Sequence, residues 1–500
     1  MQKKDFFELA ARDGLALTFD DVRLETGYSE VLPDQVNVES RFSRNVPLKV
    51  PIVSAAMDTV TEYQLAIAMA KAGGLGVIHR SFSPEQQAKQ VARVKHHMNG
   101  FIEKPVSVFE DQTIESILQG RAEKGFTFHS FPVHDREKRF VGILTENDFD
   151  FCNNAQLTAR EVMTREVISA PAGTCMDDAY NLMVKYKKKA IPLVDAEGRV
   201  AGLYIFRDIK RIRSGMFAMH NLDAKGQLRV GAAIGVGDDA FERLELLVNE
   251  HVDVVVVDTA HGDTKSVLET LRAIRKKYTV DVVVGNISHH ASAMHLLDAG
   301  ADGIKIGQGP GSICTTRIIA GIGCPQVTAV YRCAVVGQEC GVPVCADGGI
   351  TSSGDIVIAL AAGAASVMLG NLLAGIEESP GELVFLQGRQ WKKYRGMGSI
   401  GAMQESRGAR QRYSQGERVL IPEGVEGMVP FKGPLDAVMA QYVGGVRSGM
   451  GYIGAKTIAE LQAKAEFFRT TAAGRRESHP HDIVITRDAP NYSPPQGERQ

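Results

Sequence analysis

The stretch GIKIGQGPGSICTTR (303–317) sets one reactive side chain in an unusual context. Cys314 is flanked by Gly, Pro, Ser and Thr rather than by apolar residues. A strand ends at about Ile306, and Gly307, Gly309 and Gly311 make the turn that follows. Glycines let backbone groups approach a phosphate or a cation with no Cβ in the way. A cysteine offered from such a loop can act as a nucleophile. The other role open to it is that of a small buried hydrophobe. Two aspartates also stand at the ends of apolar runs: Asp258 in VVVVDTAHG (254–262) and Asp347 in ADGGI (346–350). Each could bind a ligand, but Asp258 could equally cap the next helix and Asp347 could equally form a turn.

The elements that must position these residues alternate in type. VDVVVVD (252–258) is continuous and β-branched, as a strand buried on both faces should be. A helical pattern follows over 264–277. Then come DVVVGN (281–286), a helix near 289–299, GIKIG (303–307), a helix near 326–340 and VPVCADGG (342–349). A helix near 353–363 and SVMLGN (366–371) complete the run. Earlier, VPIVSAAMD (50–58), GLGVIH (74–79) and RVGAAIGV (229–236) read as strands, with helices opening near Thr61 and Ser83. The count is two strands, an interruption, then six. Eight parallel strands predict a (β/α)8 TIM barrel, and the pattern alone also allows an open doubly wound sheet. In a barrel the loops after strands seven and eight, here ADGGI and LGN, are the usual phosphate site. No GxGxxG follows a predicted strand, so a dinucleotide would lie in a groove rather than on a Rossmann domain.

The interruption, 101–215, contains a repeat. FPVHDREKRFVGILTENDFD (131–150) matches IPLVDAEGRVAGLYIFRDIK (191–210) at a fixed offset, pairing Pro132 with Pro192, Asp135 with Asp195, Gly142 with Gly202 and Asp148 with Asp208. Two small β–α units, about 101–160 and 161–215, are expected to pack together. Barrel sequence then occupies 1–100 and 216–500. The pair resembles a tandem CBS (Bateman) module, which implies an adenine or guanine nucleotide as ligand. Nucleotide-binding copies carry Ser or Thr shortly before the final Asp: the first copy has Thr145, the second Ile205-Phe206-Arg207. A purely structural insertion stays open.

Composition narrows the classes. The net charge is -2, which gives no electrostatic case for nucleic acid or a membrane surface. Seven cysteines, none in C-x-x-C, are not a disulfide framework and argue against zinc. Free thiols suit a reducing compartment, so a cytoplasmic protein is expected. No run of about 18 apolar residues is present, and residues 1–12 lack the apolar segment of a secretory signal.

GxGPGSICTTR followed by GIGCPQVTAV (321–330) resembles the active-site loop of the IMP dehydrogenase and GMP reductase family. GLALTFDDVRL (14–24), PIVSAAMDTVTE (51–62), VVVVDTAHG, ADGGI and YRGMGSIGAM (394–403) extend the resemblance over nearly the whole chain. It implies that Cys314 attacks C2 of IMP, that hydride passes to NAD, and that water cleaves the covalent thioimidate to XMP. That reaction is the committed step of guanine nucleotide synthesis. By the same resemblance, carbonyls of Gly309, Gly311 and Cys314 hold K+, and Thr316 assists hydrolysis. Ser312, Gly349, Gly370, Asn371 and Tyr394 hold the phosphate, and Asp347 the ribose hydroxyls. Gly396, Met397, Gly398 and Glu423 complete the substrate side. Asp258, Thr259, Ala260, His261, Asn286 and Gly307 form the nicotinamide side. A homotetramer is implied as well.

Two features favour a dehydrogenase over a CBS-containing GMP reductase, which would use NADPH to convert GMP to IMP. ARQRYSQGERV (409–419) carries Arg412 and Tyr413 where dehydrogenases have a mobile flap, here about 404–424, whose Arg acts as general base on water. YRGMGS (394–399) lacks the Ser-Ser that reductases carry after the Met. One departure stands out. Where the family has Glu-Gly-Gly, completing the cation site from a neighbouring subunit, this chain reads Glu477-Ser478-His479.

Overall fold

The computed structural model describes residues 2–97, 101–102, 105–123, 130–213, 218–413, 420–486 and 489–492. The chain forms two compact units, one of Met1–Lys95, Met219–Asn221 and Leu228–Gln500, the other of His96–Ala218 and Leu222–Gln227.

The first unit is a closed barrel of eight parallel strands: β1 (Ile52–Ser54), β2 (Leu75–Ile78), β3 (Val230–Ile234), β4 (Val254–Asp258), β5 (Asp281–Ile287), β6 (Gly303–Ile306), β7 (Val344–Asp347) and β8 (Ser366–Leu369). The barrel reading, rather than the open sheet, is borne out. β8 closes the ring onto β1 with Met368 opposite Val53. Every strand residue is buried except Asp347, at the mouth, which is why the strands read as unbroken apolar runs. Several strands are shorter than their apolar runs; β1, for example, keeps three residues of the run 50–58. The flanking residues turn out of the ladder at the barrel rims.

The helices are α1 (Tyr63–Lys71), α2 (Pro84–Lys95), α3 (Asp238–Asn249), α4 (Lys265–Lys277), α5 (His290–Asp298), α6 (Gln326–Glu339), α7 (Ser353–Ala362) and α8 (Leu435–Ile453). Their starts carry recognisable caps. Ser352 and Asp355 form a reciprocal box at α7, with Asp355 N to Ser352 Oγ at 3.3 Å and Ser352 N to Asp355 Oδ2 at 3.1 Å. Between β8 and α8 the chain adds a three-stranded antiparallel sheet, Leu383–Leu386, Arg389–Arg395 and Glu426–Pro430.

The interior is filled by Val53, Leu75, Val77, Val254, Val256, Val283, Cys345 and Met368. Its lower end, where the strands begin, is plugged by a hairpin of Ser40–Arg41 and Pro47–Leu48. Phe42, Val46 and Leu48 of that hairpin join the core. Asp281, the first residue of β5, anchors the plug by accepting from Ser43 Oγ at 2.5 Å and from Asn45 N and Nδ2 at 2.8 Å each.

In the second unit the two repeat copies fold alike. Phe131–His134 pairs antiparallel with Phe140–Leu144, and Ala190–Val194 pairs with Val200–Ile205. Asp135 accepts the amides of Glu137 and Arg139, and Asp195 those of Glu197 and Arg199, so one turn is built twice. Gly142 and Gly202 are both required by close packing: a Cβ would lie 2.5 Å from Met163 Sδ in one and 2.2 Å from the Phe101 ring in the other. The copies part at the helix that follows. Thr145 N and Oγ1 donate to Asp148 at 2.7 and 2.8 Å, a cap that Ile205 and Phe206 cannot make with Asp208.

Phe42→Ala should lower the unfolding free energy of the barrel by about 3–5 kcal/mol, because the plug seats the ring in a closed interior. Chemical denaturation reads this directly, and a loss below about 1 kcal/mol would show that the plug is not packed.

Candidate functional site

Cys314 lies in the loop after β6, half-buried at the C-terminal end of the barrel strands, where barrel chemistry is carried out. Its thiol donates to Thr316 Oγ1 at 3.2 Å, and Thr316 Oγ1 donates to Glu423 Oε2 at 2.7 Å. A thiol, a hydroxyl and a carboxylate therefore stand in line. All seven cysteines are free. Burial pushes the Cys333 and Cys345 thiols up to about 12, which leaves them inert at neutral pH. Cys314, in contrast, is open to the mouth.

The loop is shaped by its glycines. Gly307 has φ 143°, and a Cβ there would lie 2.0 Å from the Asp347 carbonyl oxygen, so only glycine lets β6 leave so close to β7. Gly348 and Gly349 rest against Pro310, which seats the loop on the ADGGI turn. Backbone pairs then stitch three segments together. Thr315 N donates to Glu423 O at 3.0 Å and Val425 N to Ile313 O at 2.9 Å. Gly396 N donates to Val425 O and Glu423 N to Gly398 O, both at 3.0 Å. Met397 is buried between them. A Cβ on Gly398 would meet the Tyr413 ring at 2.7 Å, so this segment passes directly beneath Tyr413.

On the anticipated phosphate side, the buried Tyr394 hydroxyl is hydrogen-bonded to Ser312, and burial raises its pKa. A Cβ on Gly370 would stand 3.0 Å from that hydroxyl. Gly370 leads into the short helix Asn371–Ala374. Ser312, Tyr394 and Gly370 thus converge, with Gly349 on the adjoining turn.

On the anticipated nicotinamide side, Thr259 Oγ1 donates to Gly285 O at 2.9 Å, and Asn286 N donates to Thr259 O at 2.8 Å. Gln308 Nε2 contacts Ala260 O and His261 Nδ1, each at 3.2 Å. Asn286 Nδ2 donates to Gly307 O at 2.6 Å and to Asp347 Oδ2 at 2.9 Å.

The residue that joins the two sides was not anticipated. Lys305 of β6 is fully buried, with Nζ 2.5 Å from Asp347 Oδ2 and 3.1 Å from Asp258 Oδ1. It also donates to the Asn286 side-chain oxygen. Asp258 carries a second partner, the Arg412 guanidinium, and Ala260 N donates to Arg412 O at 3.1 Å. Arg412 in turn hydrogen-bonds Tyr413. The signal available in the sequence was a lysine inside an otherwise apolar strand, GIKIG, because a buried lysine needs carboxylate partners.

The flap region begins as two short helices, Ile400–Glu405 and Arg407–Arg412; its residues 414–419 lie outside those described. In the loop anticipated to hold a cation, Gly309 has φ 78°, and the Gly311 carbonyl accepts the Cys314 amide at 3.0 Å. Neutral backbone carbonyls of this kind suit a monovalent cation. Glu477 ends a short helix, Ala472–Glu477, and Ser478 and His479 bond locally, to Gly474 O at 2.8 Å and Tyr492 Oη at 3.1 Å. The structure therefore does not bring these three to the Cys314 loop of the same chain.

A family model described as IMP dehydrogenase / GMP reductase domain matches residues 16–481. The inosine-5'-monophosphate dehydrogenase of Aquifex aeolicus is 50% identical over 95% of this chain and 97% of its own length. That of Bacillus subtilis is 45% identical over 95% of this chain and 98% of its own. Among solved structures, a variant GMP reductase of Trypanosoma brucei in complex with guanosine 5'-monophosphate superposes with a TM-score of 0.82 at 39% identity, covering 94% of this chain and 98% of that one.

Lys305→Gln removes the cation that Asp258 and Asp347 share, leaving Asp347 to Asn286 and Asp258 to Arg412. Thermal and chemical unfolding should show a loss of about 3–5 kcal/mol, and unchanged stability would mean that Lys305 does not bridge Asp258 and Asp347.

Proposed function

The chain belongs to the IMP dehydrogenase / GMP reductase family, and on that premise we propose that it oxidises IMP to XMP with NAD as hydride acceptor. The observation that carries the reading is the half-buried Cys314 thiol at the barrel mouth, in line with Thr316 and Glu423. The Cys314 sulfur attacks C2 of the hypoxanthine ring, and the hydrogen on C2 departs as hydride. NAD, when bound, supplies the acceptor for that hydride. The product is a thioimidate on Cys314, which water converts to XMP while the thiol is regenerated. In sum, IMP, NAD+ and water give XMP, NADH and one proton.

This chain's residues divide the work. Ser312, Tyr394, Gly349, Gly370 and Asn371 hold the phosphate, and Asp347, fixed by Lys305 and Asn286, holds the ribose. Gly396, Met397 and Gly398 carry the base, with Glu423 at its edge. Asp258, Thr259, Ala260, His261, Asn286 and Gly307 form the groove for the nicotinamide ribose. In the conformation described, Arg412 occupies the Asp258 carboxylate, so the flap and the dinucleotide take turns there. That order suits a two-step reaction: hydride leaves first, then Arg412 and Tyr413 close over the adduct and Arg412 takes a proton from water. Thr316 offers a second route, passing a proton toward Glu423. Carbonyls of Gly309, Gly311 and Cys314 would hold K+, which would fix the loop that presents the sulfur. Glu477, Ser478 and His479 would meet such an ion only from a neighbouring copy.

We further propose a homotetramer, with Ile318, Ile319 and Ile322, exposed beside the Cys314 loop, covered by a second copy. The repeat unit at 101–215 would act as a CBS module that takes an adenine or guanine nucleotide, with Thr145 and Asp148 in its first copy at the ligand. A cytoplasmic location agrees with seven unpaired thiols, and no helix among the described residues is long and apolar enough to cross a membrane.

The likeness to the Trypanosoma brucei structure keeps GMP reduction as the second reading. IMP with NAD, or GMP with NADPH, followed by nicotinamide absorbance, separates the two. In the preferred reading the first mixture gains absorbance and the second does not change. Cys314→Ala should abolish turnover while IMP binding persists, and mass spectrometry of the unaltered protein with IMP and NAD should find a purine on the Cys314 peptide. Turnover in Cys314→Ala would refute the covalent route. Arg412→Ala should slow XMP release by roughly 100-fold or more with little change in the first NADH burst, in line with the usual worth of a general base. Equal slowing of both phases would remove Arg412 from that role.

A further inference from the structure

Arg80 follows β2 after one intervening residue and is 5% exposed. Its Nη1 donates to Gln411 Oε1 at 3.2 Å, and its Nη2 reaches the Asp258 backbone carbonyl at 3.4 Å. The barrel makes room for this side chain. Gly235 directly follows β3, and a Cβ on it would stand 2.5 Å from Arg80 Nη1. On the opposite side, Gly408 of the Arg407–Arg412 helix lies on the Arg80 backbone, and a Cβ there would come within 2.7 Å of the Arg80 carbonyl oxygen. Arg80 thus meets the flap helix twice, beneath Gly408 and at Gln411. It also holds the main chain of Asp258, whose carboxylate pairs with Arg412.

The charged groups around it are Asp239 and Arg243 of α3, Arg412 of the flap and Asp258 of β4. Burial first, and then Arg412, lower the Arg80 pKa to about 9, so the group remains a cation at neutral pH. A buried cation beside another cation is costly unless carboxylates offset it. Asp239 supplies part of that offset, and the Asp258 backbone carbonyl accepts one of the guanidinium hydrogens. Movement of the helix away from the barrel would break the contacts with Gly408 and Gln411. An interaction present in one state and absent from the other shifts the balance between them.

We propose that Arg80 is a positioning residue for the hydrolytic half of the reaction: a post on the barrel to which the Arg407–Arg412 helix docks, bringing Arg412 to Asp258. The inference rests on the reading that this protein oxidises IMP through a Cys314 adduct. Hydride transfer needs the Asp258 groove clear, whereas hydrolysis needs Arg412 in it. Loss of Arg80 therefore spares the first step and slows the second.

Rapid mixing with IMP and NAD, read by NADH absorbance, separates the initial burst from steady turnover, and intact-protein mass spectrometry reads the fraction carrying the adduct. Arg80→Gln should keep the burst rate within about twofold, lower steady turnover by about tenfold and raise the adduct fraction, because only the docked state loses contacts. Arg80→Lys should recover part of the loss. Gln411→Ala removes the flap side of the same contact from a half-buried position and should show the same pattern more mildly. The Arg80→Gln, Gln411→Ala double variant should be no slower than Arg80→Gln alone. Burst amplitude and steady turnover falling in equal proportion in Arg80→Gln, with no added adduct, would overturn the proposal and leave Arg80 a packing residue. Additive losses in the double variant would also overturn it. Neither burst nor adduct in the unaltered protein would instead overturn the functional reading beneath it.

Discussion

A lysine inside a closed barrel must find negative charge or not be charged at all. Lys305 finds two carboxylates, Asp258 at the end of β4 and Asp347 at the end of β7, with Asn286 of β5 beside them. Four neighbouring strands are thereby tied at one level of the mouth. The attraction among these charges offsets the cost of taking them out of bulk water. Each aspartate therefore presents its remaining oxygen capacity in a fixed direction. One faces the side where Ser312 and Tyr394 meet; the other faces the groove that Arg412 enters. The site's two halves are held in register by this one cation.

Above that level the site is made from loops, which have no ladder to hold them. Direct backbone pairing among 313–315, 396–398 and 423–425 replaces it. Gly307 and Gly398 carry no side chain because the Asp347 carbonyl and the Tyr413 ring fill the space a Cβ would take. The Cys314 thiol is thus carried on a loop whose neighbours are fixed at several points, and the segment bearing Arg412 is seated against Arg80, Asp258 and Gly398.

How much of this could be read from residues alone follows from the physics of each part. The eight barrel strands were legible because burial on both faces demands unbroken apolar runs such as VVVVD and DVVVGN. The loop of Cys314 was legible because glycines and hydroxyls crowd a position where barrels do chemistry. Lys305 was not, since its meaning lies in partners from other strands, and strand adjacency is a property of the closed sheet. Arg80 and Gln411 escaped for the same reason. The sheet of Leu383–Leu386, Arg389–Arg395 and Glu426–Pro430 also escaped, because RQWKKYR carries charges on both faces and imitates a loop. The Phe42 plug is short, and only the open end of a barrel explains why it is apolar.

The repeated unit has a consequence of its own. Its copies agree where the backbone leaves no choice, at the turn aspartates and at Gly142 and Gly202, and they disagree at Thr145 and Ile205. The two copies are therefore alike in scaffold and distinct at the helix that follows it. Replacing one copy by the other would keep the turns and the close packing at the glycines and would erase the difference between Thr145 and Ile205.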